Sequence, residues 1–527
     1  MADTSTLFDY FNKNIWDSRA QKMLYFGNII CTDELLSATA KVASFLTDQG
    51  CNAGDVVGIA LPNMPDAIMA CYGISRMGGI ANIMHPKLGV FAVEELLIST
   101  KTKVIFILNS IYHIHKATLD KLHIKAIICY PSYFMPAAQA VIAAIFEKKV
   151  KAELTFKDVL HCESTFIDRE FSGEAPAVYI HSGGTSGEAK TVVLNSTAIN
   201  SVADNIMQWV HGDQKEPAHN GCMLMALPIF HCFGLAVTMH TGISHSSTLL
   251  IPQFRAHQVV RSIKKHRLTH LMGVPQMYKK MIDTNKFNGK KLAQIGYVFC
   301  GGDALSADLR TTFNNIMASS GSHAVMSEGY GLSETASVFT IERLGDTPSQ
   351  GAPIGRNNLI VINESGDICS PFEVGELYLN SASAMLGYLT ENGISRQSFV
   401  NINGSDYLKS GDCGYLDQKG NLYFADRKKR SIKISAHNIF PAEVERIAKG
   451  LPMIADCVVA RTTINGKPAT RMFVVLNKSY SLSSAVNAVK RVVTANISKY
   501  AVPRDYVEVK QLARTKLSKV DYKFYEK

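Results

Sequence analysis

Several features that would place a protein in a particular class are missing from this sequence of 527 residues. The apolar stretch 137–146 is only ten residues long and contains Gln139, whereas a transmembrane helix needs about 20 apolar residues. The N-terminus lacks the basic and then apolar order of a signal peptide, and no nucleic-acid-binding module is evident. We therefore expect a soluble, cytoplasmic protein without a transmembrane segment or a nucleic-acid partner.

Paired cysteines are also missing. The eleven cysteines are scattered, their number is odd, and no two have CxxC spacing. This pattern argues against a disulfide framework and against a structural zinc site. His113 and His115 form an HxH pair, but no other ligands lie nearby, so we expect two surface histidines and no metal there.

The positive charge is concentrated at one end of the chain. Apolar residues make up 46% and charged residues 19%, as in ordinary globular proteins, and the length predicts two or more domains. Residues 429–527 contain 19 Lys and Arg against 7 Asp and Glu, whereas the preceding 428 residues contain 36 basic and 38 acidic residues. The basic tail fits either an anionic partner or a solvated surface.

The hydrophobic pattern predicts an α/β fold with two domains. Short apolar runs at 56–60, 104–108 and 126–129 are typical of buried strands, and 66–77 has helical spacing. This alternation predicts a large N-terminal domain, 1–428, of parallel sheets covered by helices. For the remainder, 429–527, we predict a small mobile α+β domain. It would contain a hairpin of strands 457–461 and 471–476 with its turn at Asn465-Gly466, followed by a helix at 483–497.

A glycine-rich segment connects two predicted strands, 177–180 and 191–194, and it reads HSGGTSGEAK. Glycines allow backbone N–H groups to approach an anion, hydroxyls add donors, and a lysine adds a point charge. Because Glu188 and Ala189 precede the lysine, the segment is not a Walker loop. The candidate phosphate-binding residues are Ser182, Gly183, Gly184, Thr185, Ser186, Gly187 and Lys190.

The pattern SGGTSGxxK resembles the signature loop of the adenylate-forming, AMP-binding superfamily, which includes acyl-CoA synthetases, peptide-synthetase adenylation domains and beetle luciferases. Further segments agree with that family in order and spacing, from about residue 50 to 522, which argues against chance. These segments are LPIFHCFGL (His231), CGGDAL (Gly301, Gly302, Asp303), EGYGLSET (Gly329, Tyr330, Gly331, Ser333, Glu334), SGD (Asp412), the following Arg427, and RTKLSK (Lys519).

The resemblance implies a role for each of these positions. His231 would line the carboxylate pocket, Gly301, Gly302 and Asp303 would lie beside the adenine, and Tyr330 would pack on it. Asp412 and Arg427 would hold the ribose, and Glu334 with Thr185 would hold magnesium. Lys519, with His231 and Glu334, would be catalytic, Lys429 would be the hinge, and Ser435, Ala436 and His437 would line the thiol channel.

The implied reaction is ATP-dependent activation of a carboxylic acid to an acyl-adenylate, with Mg²⁺ present and pyrophosphate released. Transfer to a thiol, first of all that of CoA, would follow, as in the fatty-acid and aryl-acid CoA ligases. Amino-acid-activating relatives carry an aspartate near the LPxFH segment, whereas this chain has Phe230, His231, Cys232 and Phe233. The resemblance therefore favours an apolar acid, fatty or aryl.

Two alternatives stay open. The basic tail, and Ala436 where the family has a glycine in the thiol channel, would suit the phosphopantetheine arm of an acidic carrier protein. The carrier-loading fatty acyl-AMP ligases have an insertion for which the 78 residues from Glu334 to Asp412 leave no room. The second alternative is an inactive nucleotide-binding homologue, against which the retained Lys190, Glu334, Asp412, Arg427 and Lys519 argue.

Overall fold

A computed structural model describes residues 2–15, 22–147, 150, 154–163, 166–182, 190–211, 221–343, 348–434, 437–464, 467–514 and 520–526. The described helices are α1 Leu7–Lys13, α2 Thr32–Asp48, α3 Pro65–Arg76, α4 Val90–Ser99, α5 Asn109–Lys121, α6 Ala137–Phe146, α7 Phe156–His161, α8 Ser196–His211, α9 Thr241–His245, α10 Ala256–Lys265, α11 Pro275–Ile282, α12 Ala307–Ser319, α13 Pro441–Lys449, α14 Leu482–Asn496 and α15 Tyr522–Tyr525. Single 3₁₀ turns occur at Pro131–Phe134, Lys290–Leu292, Ser333–Thr335 and Lys428–Arg430, and Phe233–His240 is π-helical.

The described strands are β1 Lys22–Tyr25, β2 Asn28–Cys31, β3 Val56–Ala60, β4 Ile80–Ile83, β5 Val104–Leu108, β6 Lys125–Cys129, β7 Pro176–Ser182, β8 Lys190–Asn195, β9 Cys222–Met225, β10 Ser247–Leu250, β11 His270–Gly273, β12 Tyr297–Cys300, β13 Met326–Leu332, β14 Ser337–Ile341, β15 Ala352–Pro353, β16 Asn358–Ile362, β17 Gly375–Asn380, β18 Gly387–Thr390, β19 Gly393–Ser395, β20 Phe399–Ile402, β21 Ser405–Leu416, β22 Leu422–Arg427, β23 Ile432–Ile434, β24 His437–Ile439, β25 Ile454–Ile464, β26 Lys467–Leu476 and β27 Asp505–Glu508.

Two large sheets with parallel centres form most of the N-terminal part. One has the order β19-β18-β8-β7-β4-β3-β5-β6 and the other the order β15-β14-β13-β12-β11-β9-β10-β1-β2. Their central strands are short and buried along their whole length, as β3 is, because helices cover both faces. The predicted α/β class, with a large N-terminal and a small C-terminal part, is confirmed.

A third sheet of five strands was not anticipated from the sequence. It has the order β16-β17-β21-β20, with β22 paired to β21, and each pairing is antiparallel. On β17 the buried Leu377 and Leu379 alternate with half-buried residues, whereas no residue of β20 is buried. This sheet positions two of the predicted site residues, one on β21 and one on β22.

The C-terminal part is built around the predicted hairpin. β25 pairs antiparallel with β26, which pairs parallel with β27, and α13 and α14 pack against them through Val444 and Val489. The predicted helix 483–497 is observed as α14, one residue earlier at each end. The predicted turn residues Asn465 and Gly466 lie outside the described residues.

The expectation of two surface histidines is wrong for one of them. His115 is 2% exposed, because α5 buries the side chains at 112, 115, 118 and 119, which share one helical face. Among the described residues, no group of three or more His, Cys, Asp or Glu side chains is placed to bind a metal. Within the same residues, no helix has the length and apolar character required to cross a membrane.

Candidate active site

Three predicted nucleotide-binding residues meet at the ends of two sheets. Asp412 on β21 and Arg427 on β22 are directly paired across the strands, and Arg427 Nε lies 2.9 Å from Asp412 Oδ1. The Tyr330 hydroxyl, carried by β13, donates a hydrogen bond of 2.8 Å to Asp412 Oδ2. A residue pair from the antiparallel sheet is thereby joined to the Gly-Tyr-Gly strand, although 82 positions separate Tyr330 from Asp412.

Asp412 Oδ1 is the unsatisfied atom of this cluster. The side chain is 1% exposed, and Oδ1 receives no hydrogen bond from any described residue, because the nearby Arg427 is outside hydrogen-bond geometry. Burial raises the pKa of Asp412 to about 6, against the opposing effects of Arg427 and Tyr330. Arg427 offsets the charge of this oxygen as an ion pair, and a ligand hydroxyl can supply the hydrogen bond that it lacks.

A second cluster joins the edge of the phosphate-loop strand to the residue predicted to hold magnesium. Lys190 is the first residue of β8, and its Nζ lies 4.5 Å from the centre of the Tyr388 ring, a cation–π contact. The Tyr388 hydroxyl donates a 2.7 Å hydrogen bond to Glu334 Oε1. Lys190 and Glu334, predicted to face the same triphosphate, therefore share one aromatic residue.

Two glycines on β13 are required by close backbone approach. A Cβ at Gly331 would lie 1.6 Å from the Ser337 carbonyl oxygen, and one at Gly329 would lie 2.4 Å from that of Thr340. The strand pairing shifts register between Tyr330 and Gly331, and such a bulge redirects a side chain. Gly302 follows β12 with φ +79°, a conformation that favours glycine.

The segment that contains His231 passes beside this strand. The His231 N–H donates to the Pro228 carbonyl in a turn, and a Cβ at Gly234 would lie 1.9 Å from that carbonyl oxygen. Gly234 is the second residue of the π-helix Phe233–His240. Cys232 Sγ lies 3.6 Å from the Ser333 carbonyl oxygen, which brings this segment to the Glu334 turn. The Phe233 and Phe299 rings meet edge to face at 5.4 Å, so the surroundings are apolar and aromatic.

A buried charge network supports the Gly-Tyr-Gly strand from behind. Arg310 Nη2 donates a hydrogen bond of 2.8 Å to Glu328, and its Nη1 donates one to Glu342. Gln350 donates to Glu328 and accepts from the backbone N–H of Phe424, whose ring lies 6.1 Å from that of Tyr330. Burial raises the pKa of Glu328 to about 7.

The remaining predicted residues lie apart or outside the described part of the chain. Asp303 is exposed, and its Oδ1 accepts the N–H of Ala304. Lys429 lies in an exposed 3₁₀ turn, directly before Arg430, which pairs with both Asp426 and Glu445. Ser182 ends β7, and His437 begins β24. Outside the described residues are Gly183, Gly184, Thr185, Ser186, Gly187, Ser435, Ala436 and Lys519.

Sequence reasoning gave no role to Tyr388, Arg310 or Glu328. No pattern in the sequence indicates which distant side chain a tyrosine such as Tyr388 will contact. Arg310 and Glu342 lie 32 positions apart, and each alone reads as a surface charge. The tertiary fold brings them together, with Arg310 on α12 beside Glu328 of β13.

Comparison with known proteins identifies the family. The model of the AMP-binding enzymes matches residues 21–389, and that of the AMP-binding enzyme C-terminal domain matches residues 443–519. The chain belongs to the family of AMP-binding enzymes. This confirms the predicted superfamily, and the enzymes it resembles in sequence confirm the predicted class, an AMP-forming acid–thiol ligase similar to acyl-CoA synthetases.

Among curated proteins, a long-chain-fatty-acid–CoA ligase of Bacillus subtilis is 27% identical, with 94% of this chain and 89% of the relative aligned. A 2-succinylbenzoate–CoA ligase of the same organism is 24% identical, over 94% and 93%. Among solved structures, ATP-bound MatB from Rhodopseudomonas palustris has a TM-score of 0.84 at 17% identity, covering 99% of this chain and 98% of its own. The anthranilate CoA ligase AuaEII, solved with anthranoyl-AMP, has a TM-score of 0.83 at 18% identity, over 99% and 96%. These structures support the fold.

Proposed function

We propose that this enzyme activates an apolar carboxylic acid with ATP and transfers the acyl group to the thiol of CoA. The observation that carries the proposal is the buried Asp412 oxygen without a donor, held between Tyr330 and Arg427. A ribose hydroxyl would donate to Oδ1, which relieves the cost of burying that oxygen. The Tyr330 ring and the glycines at 301, 302, 329 and 331 would face the adenine.

Glu334 fits a magnesium site because Mg²⁺ in proteins commonly takes one or two carboxylates and completes its shell with waters and substrate phosphates. Tyr388 holds one Glu334 oxygen and so fixes the carboxylate in place. When bound, Mg²⁺ would neutralise charge on the pyrophosphate. Lys190 and the loop of Ser182, Gly183, Gly184, Thr185, Ser186 and Gly187 would hold the same phosphates, with Thr185 as a further magnesium ligand.

In the first step a carboxylate oxygen bonds to the α-phosphorus. The bond from that phosphorus to the oxygen bridging to the β-phosphate breaks, and pyrophosphate leaves with the electron pair. Two anions must meet, so fixed positive charge at the reacting centre lowers the barrier by several kcal/mol. We assign that charge to Lys519, and we assign His231 to the carboxylate pocket.

The test of this assignment is ATP–pyrophosphate exchange with a good acid substrate. Lys519→Ala should reduce exchange by at least about a hundredfold, which corresponds to the loss of one preorganised charge contact in the transition state. The matched control is Lys516→Ala in the same RTKLSK segment, which should keep near wild-type exchange. If the two variants behave alike, the assignment of Lys519 is wrong.

The proposed acid is fatty or aryl. Aromatic side chains at 230, 233 and 299 surround the His231 segment, and the curated relatives are named for long-chain fatty acids, 2-succinylbenzoate and 4-coumarate. Pyrophosphate release should be measured with fatty, aryl and amino acids. Release with amino acids alone would contradict the proposal, and the absence of release with every acid would favour the inactive homologue.

The acceptor is tested by adding CoA to the same assay. Multiple turnovers with CoA, together with formation of the acyl thioester, would support the CoA ligase. The competing candidate is a carrier-loading enzyme, which the excess of basic residues after position 428 favours because carrier proteins are acidic. A single burst of pyrophosphate that CoA does not extend would point to the carrier.

The second step would require the two domains, 1–428 and 429–527, to change their relative orientation about Lys429. Rotation at this turn would remove Lys519 from the reacting centre and bring Ser435, Ala436 and His437 to line the thiol channel. Lys429→Pro fixes φ at the proposed hinge. It should reduce thioester formation more than adenylation, and an equal loss of both reactions would contradict this role.

A further inference from the structure

Helix α6 is oriented with its large apolar side chains outward. Val141, Ile142, Ile145 and Phe146 are 65%, 60%, 73% and 84% exposed, and no residue of the helix is buried. Neighbouring residues of a helix are separated by about 100°, so these four side chains span an arc of about 140°. A surface helix normally places such an arc against the core.

The opposite side of α6 carries small residues. Ala140 and Ala143 are half-buried, and Glu147, at the end of the helix, turns back to accept hydrogen bonds from the backbone N–H and hydroxyl of Ser132 at 2.8 and 2.6 Å. The helix is therefore held to the protein by alanines and by one polar cap. Its large apolar side chains are left for contact outside the chain.

The exposed apolar surface continues beyond the helix. Tyr133 lies in the preceding 3₁₀ turn and is 38% exposed. The β1–β2 hairpin abuts that turn, since Asn28 donates a hydrogen bond of 3.0 Å to the Phe134 carbonyl. On this hairpin Phe26 and Ile29 are 43% and 54% exposed. We call Tyr133, Val141, Ile142, Ile145 and Phe146, together with Phe26 and Ile29, the α6 patch.

The large side chains of α6 protrude from a ten-residue helix on which no residue is buried, and this favours a bilayer over a second copy of this chain as the occupant. A fluid bilayer interface accepts a protruding apolar helix without needing a complementary surface.

The sequence directly after α6 is basic. Glu147, at the end of the helix, is engaged by Ser132, and the next charged residues in the sequence are Lys148, Lys149 and Lys151, whereas the exposed Asp33 and Glu34 follow the hairpin at the start of α2. Lys265, which is exposed at the end of α10, lies beside Gly27 of the hairpin. Apolar side chains with lysines around them are typical of helices that lie on anionic lipid.

We propose that the α6 patch docks this enzyme on the surface of an anionic phospholipid bilayer, with α6 lying in the interface. Phe146, Ile142, Ile145 and Val141 would enter the region between headgroups and acyl chains, and Lys265, beside Gly27 of the hairpin, would face the lipid phosphates. The docking does not depend on which acid the enzyme activates.

The test is flotation of the full-length protein with vesicles of phosphatidylcholine alone or mixed with phosphatidylglycerol. Wild-type protein should float with the mixed vesicles, and the double variant Ile142→Asp/Phe146→Asp should bind at least about tenfold more weakly, because charge replaces the inserted side chains. Phe91→Asp is the matched control, since Phe91 is 89% exposed but lies on α4. It should float like the wild type.

Failure of the wild type to float, or equal flotation of the double variant and the wild type, would overturn the proposal. Light scattering coupled to size-exclusion chromatography tests the alternative occupant, a second copy of this chain. A dimer that the double variant abolishes, without vesicle binding by the wild type, would assign the patch to a second copy. Because the exchanged side chains are in solvent, the unfolding temperature of the double variant should match that of the wild type, which confirms that binding was tested on folded protein.

Discussion

The hydroxyl of Tyr388 donates a hydrogen bond of 2.7 Å to Glu334, and the ring of the same tyrosine lies 4.5 Å from Lys190 Nζ. One side chain thus contacts both the proposed magnesium ligand and the proposed phosphate ligand. Neither of those residues needs to find its orientation when substrate arrives, because Tyr388 holds both beforehand.

Tyr388→Phe removes the hydrogen bond and keeps the ring beside Lys190. Since a hydrogen bond to a charged group contributes about 1.5–3 kcal/mol, we expect the magnesium concentration for half-maximal activity to rise about tenfold or more. Titration of Mg²⁺ in the exchange assay measures this. Tyr415→Phe, where the ring stacks on Tyr423 instead, is the control and should leave the titration unchanged. An unshifted titration for Tyr388→Phe would show that the tyrosine does not position Glu334.

Asp412→Asn should raise the stability of the protein at neutral pH and weaken its binding of ATP. Burial raises the pKa of Asp412 to about 6 from 3.8, so between those values the folded protein keeps a proton that the unfolded chain has lost. Stability therefore falls as pH rises through this window, and the loss persists above pH 6. The amide removes that loss, so the variant should be more stable than the wild type at neutral pH, by at most about 3 kcal/mol.

Urea unfolding without nucleotide at about pH 4.5 and about pH 7.5 measures this effect, and the gain should shrink at the lower pH. The same substitution should raise the KM for ATP at least about tenfold, because the charged acceptor for the ribose hydroxyl is lost. A variant that is less stable than the wild type at neutral pH would contradict the destabilising role of the carboxylate.

Arg310→Met should be strongly destabilising. It leaves Glu328 and Glu342 buried together without their shared cation, a change that costs about 3–5 kcal/mol. Adding Glu342→Gln should restore part of the stability, because one of the two charges is removed. The control pair is Arg396–Asp406, where both side chains are about half exposed and Arg396→Met should change stability by less than about 1 kcal/mol. Urea unfolding of the wild type, Arg310→Met, Arg310→Met/Glu342→Gln and Arg396→Met measures these changes in stability. Equal losses in Arg310→Met and Arg396→Met would contradict the prediction.

Gly331→Ala tests the close approach of β13 and β14. The added Cβ would lie 1.6 Å from the Ser337 carbonyl oxygen, so the backbone must move, at a cost of about 1–3 kcal/mol. Because Tyr330 is the adjacent residue, the KM for ATP should also rise. Gly296→Ala is the control, since a Cβ there meets nothing within 4 Å and the glycine has no positive φ. An unchanged KM for ATP in Gly331→Ala would show that the bulge at Tyr330 and Gly331 does not position the nucleotide site.

Much of the fold was readable because several of its core strands, such as β3 and β5, are short, wholly apolar and separated by helices. The predicted strands 56–60 and 104–108 agree with β3 and β5. The five-stranded antiparallel sheet was missed because its half-buried strands mix polar and apolar residues. Nothing local in such a strand identifies its distant partner.

The candidate site was predictable only through its motifs. Tyr330, Asp412, Arg427 and Glu334 come from four separate segments, and no periodicity relates them. Their meeting is a product of strand register, such as the pairing of Asp412 with Arg427. The contacts between motifs, Tyr388 with Glu334 and Cys232 with Ser333, have no sequence signal, since a tyrosine or cysteine beside a motif is otherwise ordinary.

The pairing of β18 with β8 has a consequence for the time at which this protein can fold. β8 follows the glycine-rich loop, but its outer neighbour begins only at Gly387. At 5–20 residues per second, roughly ten to forty seconds of synthesis separate the two strands. Until then β8 is an open edge that another nascent chain can pair with. A chain truncated before residue 387 would keep this edge open, and we expect it to aggregate more readily than the full chain.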